Sequence, residues 1–173
     1  MSLENINLTG HFLIAMPNMQ DPFFAESVTY ICTHNADGAM GIIINRPTDM
    51  YMETLFEKIN IPLENTTLSK QSVLFGGPVQ TERGFVLHTI DPDANRDEWS
   101  SSLLVSDDIA LTTSKDILEA SAKGTGPQDM LLTLGCAGWT AGQLESEMLQ
   151  NAWLSVEPKD KKVLKRLLYD TDH

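Results

Sequence analysis

The sequence predicts an α+β fold, and three observations point there. Apolar strand-like runs and amphipathic helix-like runs follow one another irregularly, not in a regular strand–helix alternation. An early hairpin signature is clear, with two β-rich runs flanking the turn Asn35-Ala36-Asp37-Gly38. Composition is that of a globular chain: 173 residues, 42% hydrophobic and 21% charged. Such a length defaults to one domain and buries roughly 70% of its unfolded surface.

The elements follow in order. FLIAM after His11 is apolar on both faces, like a strand buried at a sheet centre, and Pro17 ends it. Asp21-Pro22 places a capping carboxylate before a proline at the first helical position, opening one short turn through Phe23 and Phe24. In the strand Ser27 to His34, simple alternation puts Val28, Tyr30, Cys32 and His34 on one face and Thr29, Ile31 and Thr33 on the other. Gly41 to Asn45 returns as the hairpin's second strand. Tyr51 to Asn60 reads as a helix with the stripe Met52, Leu55, Phe56 and Ile59.

Residues 63–71 are polar and read as a loop. Val73 to Phe75 and Gly84 to Ile90 read as strands on either side of Gly76-Gly77-Pro78. Asp91 to Ser102 is turn-rich, the segment expected to be most mobile. Short strands at Leu103 to Val105 and Ile109 to Thr112 flank Asp107-Asp108. A helix capped at Thr113 or Ser114 runs to Lys123 and stops at Gly124. Met130 to Leu134 reads as a buried strand, followed by a glycine-rich turn and a helix from Ala141 to Ala152. Thr140 and Gln143 fit a capping box, and Ala141, Leu144, Met148 and Ala152 form that helix's inward stripe. Trp153 to Val156 is a last strand. Lys159 to Tyr169 is an amphipathic helix carrying Val163, Leu164, Leu167 and Leu168.

Charge and composition exclude several functions. The formal net charge is −12. It divides into −14 over residues 1–158, with 7 bases and 21 acids, and +2 over residues 159–173, with 5 bases and 3 acids. A −14 body repels phosphate backbones, so direct nucleic-acid binding is disfavoured. No apolar run approaches 18 residues, so no membrane span is expected. Met1 to Leu8 lacks the pattern of a secretory signal. The two cysteines make no disulfide framework, and a cytoplasmic location fits.

Possible chemistry concentrates in a few places. Leu134 to Gly142 reads as strand–turn–helix, and a helix start behind glycines can hold an anion. It lacks the Lys-Ser/Thr of a phosphate-binding loop, so close packing of strand and helix is the weightier reading. Cys136 on that turn is a conceivable nucleophile but more simply a small buried residue. Cys32, His34 and His88 show no metal-ligand spacing, and no metal or cofactor is expected; His88 reads as a hydrogen-bonded core histidine. Arg46 and Arg83, each beside a turn, either line one anion pocket with Gly138, Thr140 and Gly142 or brace loops separately. Bracing weighs more, because buried charges must be paired. Glu145 and Glu147, two apart on a helix, face different sides and form no carboxylate dyad.

Four stretches carry a family resemblance: HFLIAMPNMQDPFFAESVTYICTHNADGAMGIIINRP (residues 11–47), LFGGPVQTERGFVLHT (74–89), LTTSKDILE (111–119) and LGCAGWTAGQLESEMLQNAWL (134–154). Together they resemble the YqgE/AlgH family of bacterial proteins. The resemblance implies a bifurcated mixed β-sheet curled into a pseudo-barrel with flanking helices. It implies a single domain over residues 1–158, with 159–173 a basic helix that is part of it or appended. It also implies a cytoplasmic bacterial protein, with a suggested role in transcription regulation and no assigned catalytic residue. Cys136 stands where the family tends to have tyrosine, which argues against catalysis there. Relatives often continue with a longer C-terminal segment than KDKKVLKRLLYDTDH.

Two functional readings follow. The first is a non-enzymatic regulatory or protein-interaction module with a protein partner. The alternative is an anion-binding protein or hydrolase built on residues 135–142 with Arg46 and Arg83.

Overall fold

The computed structural model describes residues 7–90, 99–106, 108–127 and 129–157. In chain order the elements are β1 (Phe12–Ala15), β2 (Val28–Asn35), β3 (Gly38–Ile43), β4 (Pro47–Tyr51), α1 (Met52–Lys58), α2 (Thr66–Ser69) and β5 (Ser72–Phe75). They continue with β6 (Val79–Thr89), β7 (Ser102–Leu104), β8 (Ile109–Thr112), α3 (Lys115–Lys123), β9 (Met130–Thr140), α4 (Gln143–Leu149) and β10 (Trp153–Val156).

The strands join in the order β10-β1-β2-β3-β9-β6-β8-β7, and β5 branches from β9 to carry β4. The β5–β9 pair is parallel, whereas β9 pairs antiparallel with β3 and β6. The sheet is therefore mixed and bifurcated, and it curls into a half-barrel.

Three apolar clusters explain the curl. Inside it, Phe12, Tyr30, Ile42, Leu74, Phe85, Leu87, Ile109 and Leu111 meet from six strands, and β9 as a seventh supplies Leu131 and Cys136. A second cluster packs α1, α2 and α3 on the sheet through Met52, Phe56, Leu68, Ile117, Val86 and Leu132. The third packs α4 and the 17–26 segment through Leu144, Phe24, Leu13, Trp139 and Trp153. Each fully buried large apolar side chain contributes about 1.5–3 kcal/mol.

The branch forms where β9 changes neighbours. Its first half lies between β5 and β6, and Ala137 to Thr140 lie beside β3. At the change, Gly135 has φ +83°, and a Cβ there would stand 2.3 Å from the Gly77 carbonyl oxygen. A Cβ on Gly77 would in turn meet the Cys136 carbonyl at 2.3 Å. Two backbones cross with no room for a side chain, so glycine is required on both.

Several sequence expectations shift. The glycine-rich stretch after Leu134 is not a turn: β9 runs on to Thr140, and the helix after it begins at Gln143, leaving Ala141 exposed. Continued pairing with β3 holds that stretch extended. A β-bulge between Ile31 and Thr33 breaks the alternation of β2. His34 then pairs with Ala39 and leaves the face of Tyr30 and Cys32 for that of Ile31. In β1, Phe12 and Leu13 are buried but Ile14 is 37% exposed.

The polar strand β4 and the single turn α2 carry too little apolar pattern to be read ahead of the structure. The stripe Met52, Leu55, Phe56 and Ile59 does face the core. The 21–26 turn is held by Asp21, whose Oδ1 accepts the Phe23 N–H at 2.8 Å. The expected helix Lys159 to Tyr169 and most of the expected loop from Asp91 lie outside the described residues.

Candidate functional site

Arg46 follows β3, and its carbonyl accepts the Phe75 N–H at 2.8 Å, which ties it to the β5 branch. Its guanidinium reaches back across the chain. Nη1 donates to the Pro22 carbonyl at 3.3 Å and Nη2 donates to that of Ala25. Neighbouring Asn45 accepts the Val28 N–H at 2.9 Å and donates to the Glu26 carbonyl at 3.1 Å. Together Asn45 and Arg46 fasten the 21–26 turn, in which Glu26 has φ 63°.

Arg83 lies on β6. Its Nη1 donates to Gln80 Oε1 and its Nη2 to Thr113 Oγ1, both at 3.3 Å, and the guanidinium sits 5.8 Å from the Phe85 ring centroid. The two arginines thus hold different segments. Gly138 is exposed in β9, opposite Met40, and a Cβ there would meet nothing within 4 Å. Thr140 ends the strand. Its N–H donates to Gln143 Oε1 at 3.0 Å, the reaching-back half of the expected capping box, while its hydroxyl also donates to that oxygen at 3.3 Å. Gly142, at φ 77°, occupies the cap position itself.

One polar cluster has no counterpart in the sequence reading. On α4, Glu147 Oε1 accepts the indole N–H of Trp139 at 3.0 Å and of Trp153 at 2.9 Å, and Oε2 accepts Gln143 Nε2 at 2.9 Å. Phe24 packs on both indoles, with ring centroids at 6.0 and 5.6 Å. Two residues back along α4, Glu145 Oε1 lies 3.1 Å from His34 Nε2. The Leu8 N–H points at His34 Nδ1 at 3.0 Å, so Nδ1 accepts and Nε2 carries the proton donated to Glu145. The two carboxylates do face different partners. The bulge at Cys32 makes the His34 contact, and alternation alone could not signal it.

His88 and the two cysteines are interior. His88 is 2% exposed; its Nδ1 donates to the Thr89 carbonyl at 3.0 Å and its Nε2 accepts the Thr112 hydroxyl at 2.7 Å. Burial lowers its basicity below that of an ordinary imidazole, partly offset by the Thr89 bond. Burial likewise pushes the thiols of Cys32 and Cys136 up, the latter partly offset by Arg83. Among the described residues no three His, Cys, Asp or Glu side chains are grouped to hold a metal ion. No helix among them is long and apolar enough to cross a membrane.

A curled, bifurcated α+β sheet whose glycine crossing and buried polar groups lock the strands together defines a recognisable class of bacterial protein. The AlgH-like family model matches residues 12–171, and the chain belongs to that family. It is 58% identical over 156 residues to a UPF0301 protein of Azoarcus sp. (strain BH72), covering 90% of this chain and 80% of that one. A UPF0301 protein of Thiobacillus denitrificans is 56% identical over 154 residues, covering 89% and 80%. The solution structure of the AlgH protein from Pseudomonas aeruginosa is similar at TM-score 0.77 and 43% identity, covering 97% of this chain and 84% of that one. A crystal structure from Corynebacterium diphtheriae shares the fold at TM-score 0.69 and 20% identity, covering 89% and 78%.

Proposed function

We propose that the protein is a non-enzymatic regulatory or protein-interaction module of the cytoplasm, acting on transcription indirectly through a protein partner. One observation carries this reading: the side chains best suited to chemistry are occupied in holding the fold. His34 and His88 each have both ring nitrogens engaged internally, and the thiols of Cys32 and Cys136 are buried. Arg46 and Arg83 each have internal acceptors, which supports bracing over an anion pocket shared with Gly138, Thr140 and Gly142. The −14 body argues against a direct grip on DNA.

The test compares two behaviours of the full chain. Pull-downs at low salt should retrieve a partner that Lys161→Glu/Lys162→Glu/Lys165→Glu loses, and genomic DNA should give no retarded band. Thermal stabilisation by a nucleotide or phosphorylated metabolite, abolished by Arg46→Ala or Arg83→Ala, would replace this reading with an anion-binding one.

A further inference from the structure

His34 holds two parts of the fold with one ring. Its Nδ1 accepts the Leu8 N–H at 3.0 Å, and its Nε2–H donates to Glu145 of α4 at 3.1 Å. Residues 7–10 form a strap along β2. The His34 N–H donates to Thr9 Oγ1 at 2.9 Å and the Gly10 N–H to the Ile31 carbonyl at 2.7 Å. Leu8 is buried in the cluster of Leu13, Ile31 and Trp139. The strap bends into β1 at Gly10, with φ +82° and the His11 N–H bonded to the Leu8 carbonyl at 2.9 Å. Glycine adopts that left-handed backbone freely, so the bend can open without strain.

We propose that this imidazole is a pH-sensitive latch: below neutral pH it takes a proton at Nδ1, drops the Leu8 N–H and frees the strap, while its bond to Glu145 persists. A neutral imidazole has one lone pair for a further proton, and here the Leu8 N–H points at it. Once protonated, Nδ1 is a donor facing a donor. Nearby acceptors of the strap are in use, since Asn7 Oδ1 takes the Thr9 N–H at 3.0 Å and the Leu8 carbonyl takes that of His11. The proton and the closed strap therefore compete for one atom.

The charges around the ring fix the sign. Among the described residues Glu145 is the carboxylate that faces it. Glu145 meets the ring whether the strap is closed or open, so its pull on the imidazolium cancels between those two states. The Leu8 N–H is present only in the closed one. Other ionisable groups turn elsewhere. Glu147 serves the two indoles and Gln143, Cys32 points into the barrel, Asp37 is exposed in the hairpin turn, and His11 lies 3.9 Å from Glu157. Neither β3 nor residues 7–10 carry an ionisable side chain. The strap is thus closed at higher pH and opens as pH falls, by at most about tenfold per pH unit for one proton. The latch goes beyond the interaction reading and holds whether or not a protein partner exists.

The test is amide exchange of the full chain by NMR from pH 7.5 to 5.5, corrected for intrinsic rates, with the His34 Cε1–H shift following the ring. Protection at Leu8 should fall by about tenfold or more as the ring titrates, and the amides of β9 should keep theirs. Glu145→Gln still accepts from Nε2 but carries no charge, and should move the loss to lower pH. His34→Gln should abolish the pH dependence, and His11→Gln should leave it intact. A ring that stays neutral throughout, or one that titrates while Leu8 protection holds, overturns the proposal. Equal loss at Leu8 and in β9 also overturns it, in favour of general loosening by acid. So does a pH dependence that survives in His34→Gln and vanishes in His11→Gln. The wild-type and Glu145→Gln titrations decide the matter even where His34→Gln fails to fold.

Discussion

Trp139 and Trp153 donate their indole N–H groups to one and the same oxygen, Oε1 of Glu147, at 3.0 and 2.9 Å. Their rings meet edge-on, with centroids 6.2 Å apart. The first belongs to β9 and the second to β10, strands that do not pair with each other. A single carboxylate on α4 therefore links distant parts of the curled sheet. Removing it leaves two buried donors unsatisfied, each costing about 1–3 kcal/mol. Glu147→Ala should lower stability by roughly 2–4 kcal/mol in urea denaturation. Glu147→Gln, which keeps an acceptor, should lower it by less. Altered tryptophan emission in the folded state would accompany the alanine variant alone.

The backbone crossing makes a sharper contrast within one strand. Gly135 has positive φ and abuts the Gly77 carbonyl, whereas Gly138 sits in open space. Gly135→Ala combines left-handed backbone strain with a 2.3 Å clash and should cost more than about 3 kcal/mol or prevent folding. Gly138→Ala should change stability by less than about 1 kcal/mol. Thermal melts of the two variants check this directly, and equal losses would refute the crossing as the reason for glycine here.

How far the sequence carried the reading depends on how far a pattern was local. The β2–β3 hairpin was legible because Asn35 and Gly38 bracket a two-residue loop, Asn35 Oδ1 accepting the Asp37 N–H at 2.8 Å. The core stripe of α1 was legible because four apolar side chains repeat at helical spacing. His34 was misplaced because a bulge leaves no mark in composition. The extension of β9 through Gly135 and Gly138 was hidden because glycine signals a turn until a neighbouring strand supplies the ladder. The Glu147 cluster was invisible for a related reason. A carboxylate on an acidic helix reads as solvated, and only tertiary packing brings two indoles to it.

His88 ties stability to pH. Its buried imidazole is held neutral, with a folded-state value below the ordinary one. The unfolded chain therefore binds a proton more readily, starting near the usual imidazole value of about 6.5. The stability this group contributes is complete above that pH and declines as pH falls below it, at no more than about 1.4 kcal/mol per pH unit. His88→Gln keeps an acceptor for the Thr112 hydroxyl and cannot titrate. Urea denaturation at pH 7 and pH 5 should show a smaller loss for the variant than for wild type. An identical loss would place the pH dependence in other groups.

Arg46 separates bracing from anion binding. If its guanidinium serves the Pro22 and Ala25 carbonyls, the consequence of losing it is local: the 21–26 turn loosens, and with it Phe24, which packs on Trp139 and Trp153. Loss of a charged donor by the part-buried Ala25 carbonyl and the exposed Pro22 carbonyl corresponds to about 1–3 kcal/mol. Arg46→Ala should therefore raise amide exchange at Phe24, Ala25 and Ser27, whose N–H groups are bonded within or beside this turn. Protection in β6 and β8 should stay unchanged, since Arg83 braces that side. Arg83→Ala should give the converse pattern, exposing amides near Thr113 and leaving the 21–26 turn closed. Mutual loosening of both regions by either substitution would show that the two arginines work on a shared site and not on separate corners of the sheet.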